Sequence, residues 1–241
     1  MPRTQPRKRP RTAGPSGRAP RSAAHRKRRG IGRPAAGSQA VGRDALIERT
    51  CEMLTELPPN RITRAEVARH MNVDPSLIRY YFRDRSTLLV AAAERLVETF
   101  QRLMDEELAQ SDMSADGRLR ARVSALLKLN VSYPFFHRLL IDELVNIDSR
   151  PAQRFIEEIT HRGVAGYGAI IDAGVKEGVF RKVNSAFLFL AVIGIVEFFV
   201  NGMPVLRIAM GKEFDERLIA ARYREFICEL LSAGLRSKQP A

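Results

Sequence analysis

The chain has 241 residues, 45% of them hydrophobic, and a formal net charge of +13. That length holds one or two domains with a sizeable core, and that apolar content excludes a chain disordered throughout. Two cysteines, Cys51 and Cys228, exclude a disulfide framework and imply a reducing cytoplasm; the four histidines (His25, His70, His137, His161) show no metal-ligand spacing.

The charge is unevenly placed. Met1 to Gly42 holds twelve Lys and Arg and no Asp or Glu, which leaves +1 for everything after it. This stretch is rich in Pro, Gly, Ser and Ala and has no apolar periodicity, so it reads as a disordered basic tail over residues 1–42. Its densest runs, RKRPR and HRKRR, suit nonspecific phosphate binding. The alternative is a solubilising or mistranslated extension. No apolar region follows the charges, which disfavours a secretory signal, and no amphipathic pattern supports a transit peptide.

An apolar helix, ALIERTCEMLTEL, begins at Ala45. The segment from Thr63 to Leu89, TRAEVARHMNVDPSLIRYYFRDRSTLL, is the most informative in the chain. Val67, Ala68 and Met71 mark one apolar face of a helix over Arg64 to Met71. Thr63 can N-cap it, with Glu66 three residues on as in a capping box. Asn72 stands at the turn, where Asn tolerates the left-handed region. Asp74 and Pro75 restart a helix as N-cap acceptor and first-turn proline. Ser86 is the expected cap of a third helix. Helix, turn, helix is the order of a DNA-binding unit whose second helix enters the major groove. On that helix Leu77, Ile78, Tyr81 and Phe82 are expected to point inward, and Pro75, Ser76, Arg79 and Tyr80 outward. Arg can bond guanine bidentately, and Ser and Tyr can bond phosphates or base edges.

The stretch NVDPSLIRYYFRDRSTLL, with the upstream helix ALIERTCEMLTEL, resembles the N-terminal domain of the TetR family of bacterial regulators. The resemblance covers roughly Ala45 to Val97. Asn72 stands where the family usually has Gly, and Leu57-Pro58-Pro59-Asn60 replaces the family's usual Gly after its first helix. Arg85 stands at or next to the place of a usual Lys. The resemblance implies that the position of Tyr81 contacts phosphate, and Arg85 is expected to do the same. The candidate DNA-binding residues are therefore Thr63, Arg64, Pro75, Ser76, Arg79, Tyr80, Tyr81, Arg85 and Ser86.

Beyond this unit the pattern is helical throughout. Helices are expected over Ser86 to Leu108, Gly117 to Leu129, Pro134 to Val145, Ala152 to Lys176 (ending near Gly178), Asn184 to Asn201, and Phe214 to Leu235. No strand-like alternation or repeat is seen. Ala186 to Val200, AFLFLAVIGIVEFFV, is too short to span a membrane and contains Glu197. Apolar nearly all round, it needs cover on more than one side. A second copy of the chain can supply that cover, and the last helix can meet the same copy through Leu218, Tyr223, Phe226, Ile227 and Leu230. The TetR resemblance implies the same four-helix dimer interface.

Phe100, Met104, Phe135, Phe136, Phe155, Tyr167, Phe187 and Met203 read as core packing before they read as a pocket. His137, Glu143 and Glu197 read as capped or exposed groups. No catalytic constellation, metal set or cofactor loop is found; Gly163, Gly166 and Gly168 sit in a helical pattern. The expected architecture is all-α: a three-helix helix-turn-helix head over 43–90, a helical-bundle ligand-binding and dimerisation domain over 91–236, and a flexible end over 237–241. The expected function is a cytoplasmic, non-enzymatic, ligand-responsive transcriptional regulator. It would act as a repressor that binds a palindromic double-stranded DNA operator as a homodimer and responds to a small, mostly apolar effector. Architectural DNA binding through the basic tail is the alternative, and an all-α enzyme is the third possibility.

Overall fold

Local capping and burial spacing set each helix from residue 43 onward. The computed structural model describes residues 41–110, 114–145, 148–215 and 218–237. The expected basic tail, apart from Val41 and Gly42, lies outside the described residues, as do residues 238–241.

Helix α1 (Arg43–Glu56) buries Leu46, Ile47, Thr50, Cys51, Met53 and Leu54, a stripe with the period of one helix face. A 3₁₀ turn at Pro59–Arg61 and buried Ile62 lead to α2 (Arg64–Met71). The Thr63 hydroxyl accepts from the Glu66 amide at 3.1 Å, and Asn72 ends the helix at φ 52, ψ 44. Its amide bonds back to the carbonyls of Ala68 and Arg69. Asp74 caps α3 (Pro75–Tyr81), its carboxylate accepting from the Ser76 amide at 2.7 Å. The Ser76 hydroxyl, and after it this amide, hold the Asp74 carboxyl below its ordinary value.

Helix α4 (Arg85–Gln110) has 26 residues and so runs about 39 Å. Its cap is Asp84 and not Ser86, because a reciprocal pair forms two residues earlier than expected. The Asp84 carboxylate accepts from the Thr87 amide at 2.8 Å, and the Asp84 amide donates to the Thr87 hydroxyl at 3.2 Å. Helix α5 (Ala115–Ser132) packs along α4. The expected helix over Pro134 to Val145 is a single turn, α6 (Phe136–Arg138), followed by a π-helical turn at Leu139–Val145. Leu139 and Leu144, five residues apart, are both buried, and the wider π turn suits that spacing.

Helix α7 (Arg150–Lys176) ends before Gly178, whose φ of 76 lets the chain reverse. Asn184 caps α8 (Ser185–Asn201) by accepting from the amides of Ala186 and Phe187. The chain then bends by 69° into α9 (Met203–Met210), a helix that the sequence reading left out. Pro204 can only open a helix, so α8 cannot run through it. The last helix, α10 (Ile219–Leu235), starts five residues later than expected, after a 3₁₀ turn at Gly211–Glu213. No single helix among the described residues is long and apolar enough to cross a membrane.

Two apolar clusters hold these helices. One runs from α1, α2 and α3 through the first half of α4 to Leu129, Leu139, Leu144 and Phe155. It is continuous across residues 90 and 91, so helical head and bundle share one core there. The other joins α5, α7, α8 and α10. Cys51 and Cys228 are free and buried in these clusters; burial pushes their thiols up to about 12 and about 11. Of the residues expected to face a second copy, Leu218, Phe226 and Leu230 are exposed, but Ile227 is 1% exposed and belongs to the core. Tyr223 is also turned inward. Its ring stacks on Phe199 at 4.3 Å, and its hydroxyl donates to the Ile195 carbonyl at 2.9 Å.

The left-handed backbone at Asn72 predicts a specific ranking. Asn72→Val should lower unfolding stability by about 1–2 kcal/mol, and Asn72→Gly should cost nothing or add a few tenths. Urea unfolding of the two variants beside the parent chain checks this order.

Candidate nucleic-acid interface and internal cavity

Helix α3 is pinned from below and open above. Ile78 and Phe82 are buried in the first cluster, and the Arg43 guanidinium lies 5.4 Å over the Phe82 ring. Leu77 and Tyr81, expected inward, are only half-buried. Pro75, Ser76, Arg79 and Tyr80 are exposed, Tyr80 by 80%. The Tyr81 ring meets Tyr80 edge to face at 5.0 Å. A phenol so exposed, beside a guanidinium and a hydroxyl that bonds the Asp74 carboxylate, contributes little to folding.

Thr63, Arg64, Pro75, Arg79 and Arg85 come together around one shallow groove. Their duties there differ. Thr63 is exposed and caps α2. Arg64 closes the end of α3 by donating to the Arg83 carbonyl at 2.6 Å and the Phe82 carbonyl at 3.3 Å.

Two of the expected contacts are corrected. Arg85 was expected on phosphate, but its guanidinium is spent inside the protein. Nε donates to the Ile62 carbonyl at 2.8 Å, Nη2 to the Pro59 carbonyl at 2.6 Å, and Nη1 to the Glu143 carboxylate at 2.6 Å. Ser86 is buried under the first turn of α4 and its hydroxyl has no partner among the described residues, so it presents nothing to a ligand. Glu143, read from the sequence as capped or exposed, is the acid that neutralises Arg85. Its carboxylate lies in the π-helical turn, 58 residues away along the chain.

The same turn forms one wall of a partly open cavity of about 260 Å³, with exposed Ile141, Val145 and Leu190 at its rim. Leu140, Ile141 and Val145 line it from the turn, Val97 and Phe100 from α4, and Leu126 and Leu129 from α5. Helices α7 and α8 complete it, with Ile156, Ile159 and Tyr167 from the first and Phe189 and Ile193 from the second. Phe100, Phe136 and Tyr167, expected to be core packing, therefore border a space; Met104 and Phe155 are core as expected, and Phe187 is exposed. His137 also lines it, with Nε2 2.9 Å from the Glu197 carboxylate. Gly163 makes room for Phe189, since a Cβ there would lie 2.5 Å from that ring. Among the described residues, no group of three or more His, Cys, Asp or Glu is placed to hold a metal ion.

Comparison with known proteins adds three relatives to this geometry. Residues 112–240 match the family model described as "Tetracyclin repressor-like, C-terminal domain". Over 161 residues the chain is 29% identical to the HTH-type transcriptional regulator BetI of Escherichia coli (strain SMS-3-5 / SECEC), covering 58% of this chain and 83% of that protein. A bacterial regulatory protein in the tetR family from Rhodococcus RHA1 superposes with a TM-score of 0.60 at 19% identity, covering 80% of this chain and 96% of that one. The structure of AibR in complex with isovaleryl coenzyme A and operator DNA gives 0.60 at 15% identity, covering 78% and 96%. At such identities the two structures speak for the fold alone.

The Arg85 network and the open face of α3 should separate cleanly in mutants. Arg85→Ala should lower stability by about 2–3 kcal/mol, because it leaves the Glu143 carboxylate and two carbonyls without their donor. Arg79→Ala should stay within about 0.5 kcal/mol of the parent, as exposed positions do. Chemical denaturation of both variants measures the contrast.

Proposed function

This chain belongs to the tetracycline-repressor-like family of ligand-responsive, DNA-binding transcriptional regulators, and we propose that it is a repressor working by binding alone, without catalysis. In this reading it grips a two-fold symmetric operator as a homodimer and leaves it when a small, mostly apolar effector fills the cavity. The observation that carries the reading is the outward face of α3. Ser76, Arg79 and Tyr80 are exposed on a helix whose other side is locked into the core. Such a helix reads base edges in the major groove through its outward side chains.

The residues assigned to DNA are Thr63, Arg64, Pro75, Ser76, Arg79, Tyr80 and Tyr81. Arg79 takes the base-reading role, and Arg64 and Tyr81 the phosphate-positioning one. The head over 43–90 and the bundle over 91–236 remain functional divisions, although one core runs through both.

The dimer rests on unpartnered apolar surface. Phe187, Leu190 and Phe198 project from α8, Phe198 by 69%, and Phe226 and Leu230 project from α10. The two helices meet through the Tyr223 and Phe199 rings, and each carries exposed apolar residues of its own. Apolar surface of this extent on a folded chain marks an interface. An isologous pairing places the same face of each copy against the other and presents two α3 helices to one DNA duplex.

Selection of bound DNA from a random pool tests the regulator reading. The enriched sequence should be a palindrome with half-sites about one helical turn apart or a multiple of it. Arg79→Ala should cost about 1–3 kcal/mol per half-site and relax the preference at one base. An enriched sequence without symmetry, or one that Arg79→Ala leaves intact, would overturn the assignment. Phe198→Glu places a charge on the apolar face without touching the core. It should give a folded monomer in sedimentation with operator affinity reduced by at least about a hundredfold; a monomer that binds as tightly as the parent sinks the dimer argument.

A further inference from the structure

The cavity wall is mostly apolar, and one cation on it has no acidic partner among the described residues. Arg122, on α5, reaches in with its guanidinium carbon 4.6 Å from the Tyr167 ring centroid and 5.7 Å from that of Phe100. Its Nε is buried and has no hydrogen-bond partner among the described residues. The other charged groups of the wall are already matched. Arg162 pairs with Glu158, and His137 with Glu197. No Asp or Glu lines the cavity. Two aromatic faces offset part of the cost of holding a guanidinium there, but a buried cation is fully compensated only by an anion with hydrogen-bonding oxygens.

The surroundings are shaped for that guanidinium. On α7, Gly166 faces it: a Cβ at that position would lie 2.7 Å from Nη1. At the next residue, the Tyr167 hydroxyl is buried beside Arg122 and has no hydrogen-bond partner other than Arg122 among the described residues. Burial pushes this phenol up to about 12, so it keeps its proton and remains a donor at neutral pH. A guanidinium and a phenol in contact with each other thus sit on one wall, and neither the Arg122 Nε–H nor the phenol proton has an acceptor among the described residues. The opposite walls are Leu, Ile, Val and Phe.

We propose that the effector is a hydrophobic monocarboxylic acid, its carboxylate held by Arg122 and Tyr167 and its apolar chain or ring laid against the π-helical turn and α8. This rests on the reading of the cavity as the effector site. The volume bounds the molecule. A dry cavity of about 150 Å³ takes benzene, so one of 260 Å³ takes roughly ten non-hydrogen atoms. A permanently charged amine of the same size would meet Arg122 and is rejected.

Calorimetric titration of the full-length protein with matched probes tests the proposal. The probes are octanoate against octanamide and octylammonium, and 3-phenylpropanoate against its amide. At least one acid should bind about tenfold or more tightly than its amide, and octylammonium should not bind. Arg122→Gln should remove the preference for acid while keeping the amide's affinity, which also reports an intact cavity. Should that variant lose the amide as well, Arg122→Lys decides: it keeps the charge and must keep the preference. Failure of both acids, equal binding of acid and amide by the parent, or an unchanged preference in Arg122→Gln overturns the assignment. Operator titration with and without the acid separates this from the regulator reading. Binding through Arg122 without DNA release leaves the anion site standing and removes the cavity's effector role. Release by the amide as readily as by the acid does the reverse.

Discussion

Beside the shared apolar core, a polar tie joins the head to the bundle: the guanidinium of Arg85. It stands at the first residue of α4, and its three nitrogens each hold a different part of the chain. Pro59 and Ile62 belong to the loop that precedes α2; Glu143 belongs to the π-helical turn of the bundle. Arginine suits this post because its planar fork donates in several fixed directions at once, which a lysine could not reproduce. With side chains 29% and 15% exposed, Arg85 and Glu143 form a partly desolvated pair whose value depends on geometry. The position of α2, and through it the presentation of α3, is therefore tied to where Glu143 stands.

That tie acquires meaning from what lies on the other side of Glu143. Leu140, Ile141 and Val145 of the same turn border the cavity. A π-helical turn is a strained and uncommon conformation, often found at functional positions. Its own Leu139 and Leu144 are buried in the first cluster, so the turn is anchored on one side, while Leu140, Ile141 and Val145 face the cavity on the other. A molecule entering that space contacts a segment whose carboxylate holds the loop before α2. A ligand shifts such an equilibrium only by its differential affinity for the two arrangements.

How much of this was legible in the sequence follows from the range of each interaction. The helix-turn-helix could be read because its determinants are local: Thr63 with Glu66, Asn72 alone, Asp74 with Ser76. The third cap was misplaced to Ser86 because Asp84 and Ser86 are both good capping residues two positions apart. Only the reciprocal bond with Thr87 decides between them. Arg85 looked like a phosphate contact because nothing local claims it; its partners are 23, 26 and 58 residues away. The cavity was invisible for the same reason. Aromatic and apolar residues that fill a core and those that line a space have the same periodicity, and Arg122, Gly166 and Tyr167 meet only when α5 packs on α7.

The apolar helices α8 and α10 show a different kind of limit. Phe226 and Ile227 are adjacent and about equally apolar, yet one faces outward and the other is sealed in the core. Successive helical residues point about 100° apart, so a helix apolar over most of its circumference does not declare its phase. The hydroxyl of Tyr223, which donates to Ile195, and its ring, stacked on Phe199, set that phase for α10. Once it is set, Phe226 and Leu230 of α10 are left exposed, as are Phe187, Leu190 and Phe198 of α8. One polar handle on an otherwise greasy helix thus decides which apolar residues build the core of a single chain and which are left for a second copy.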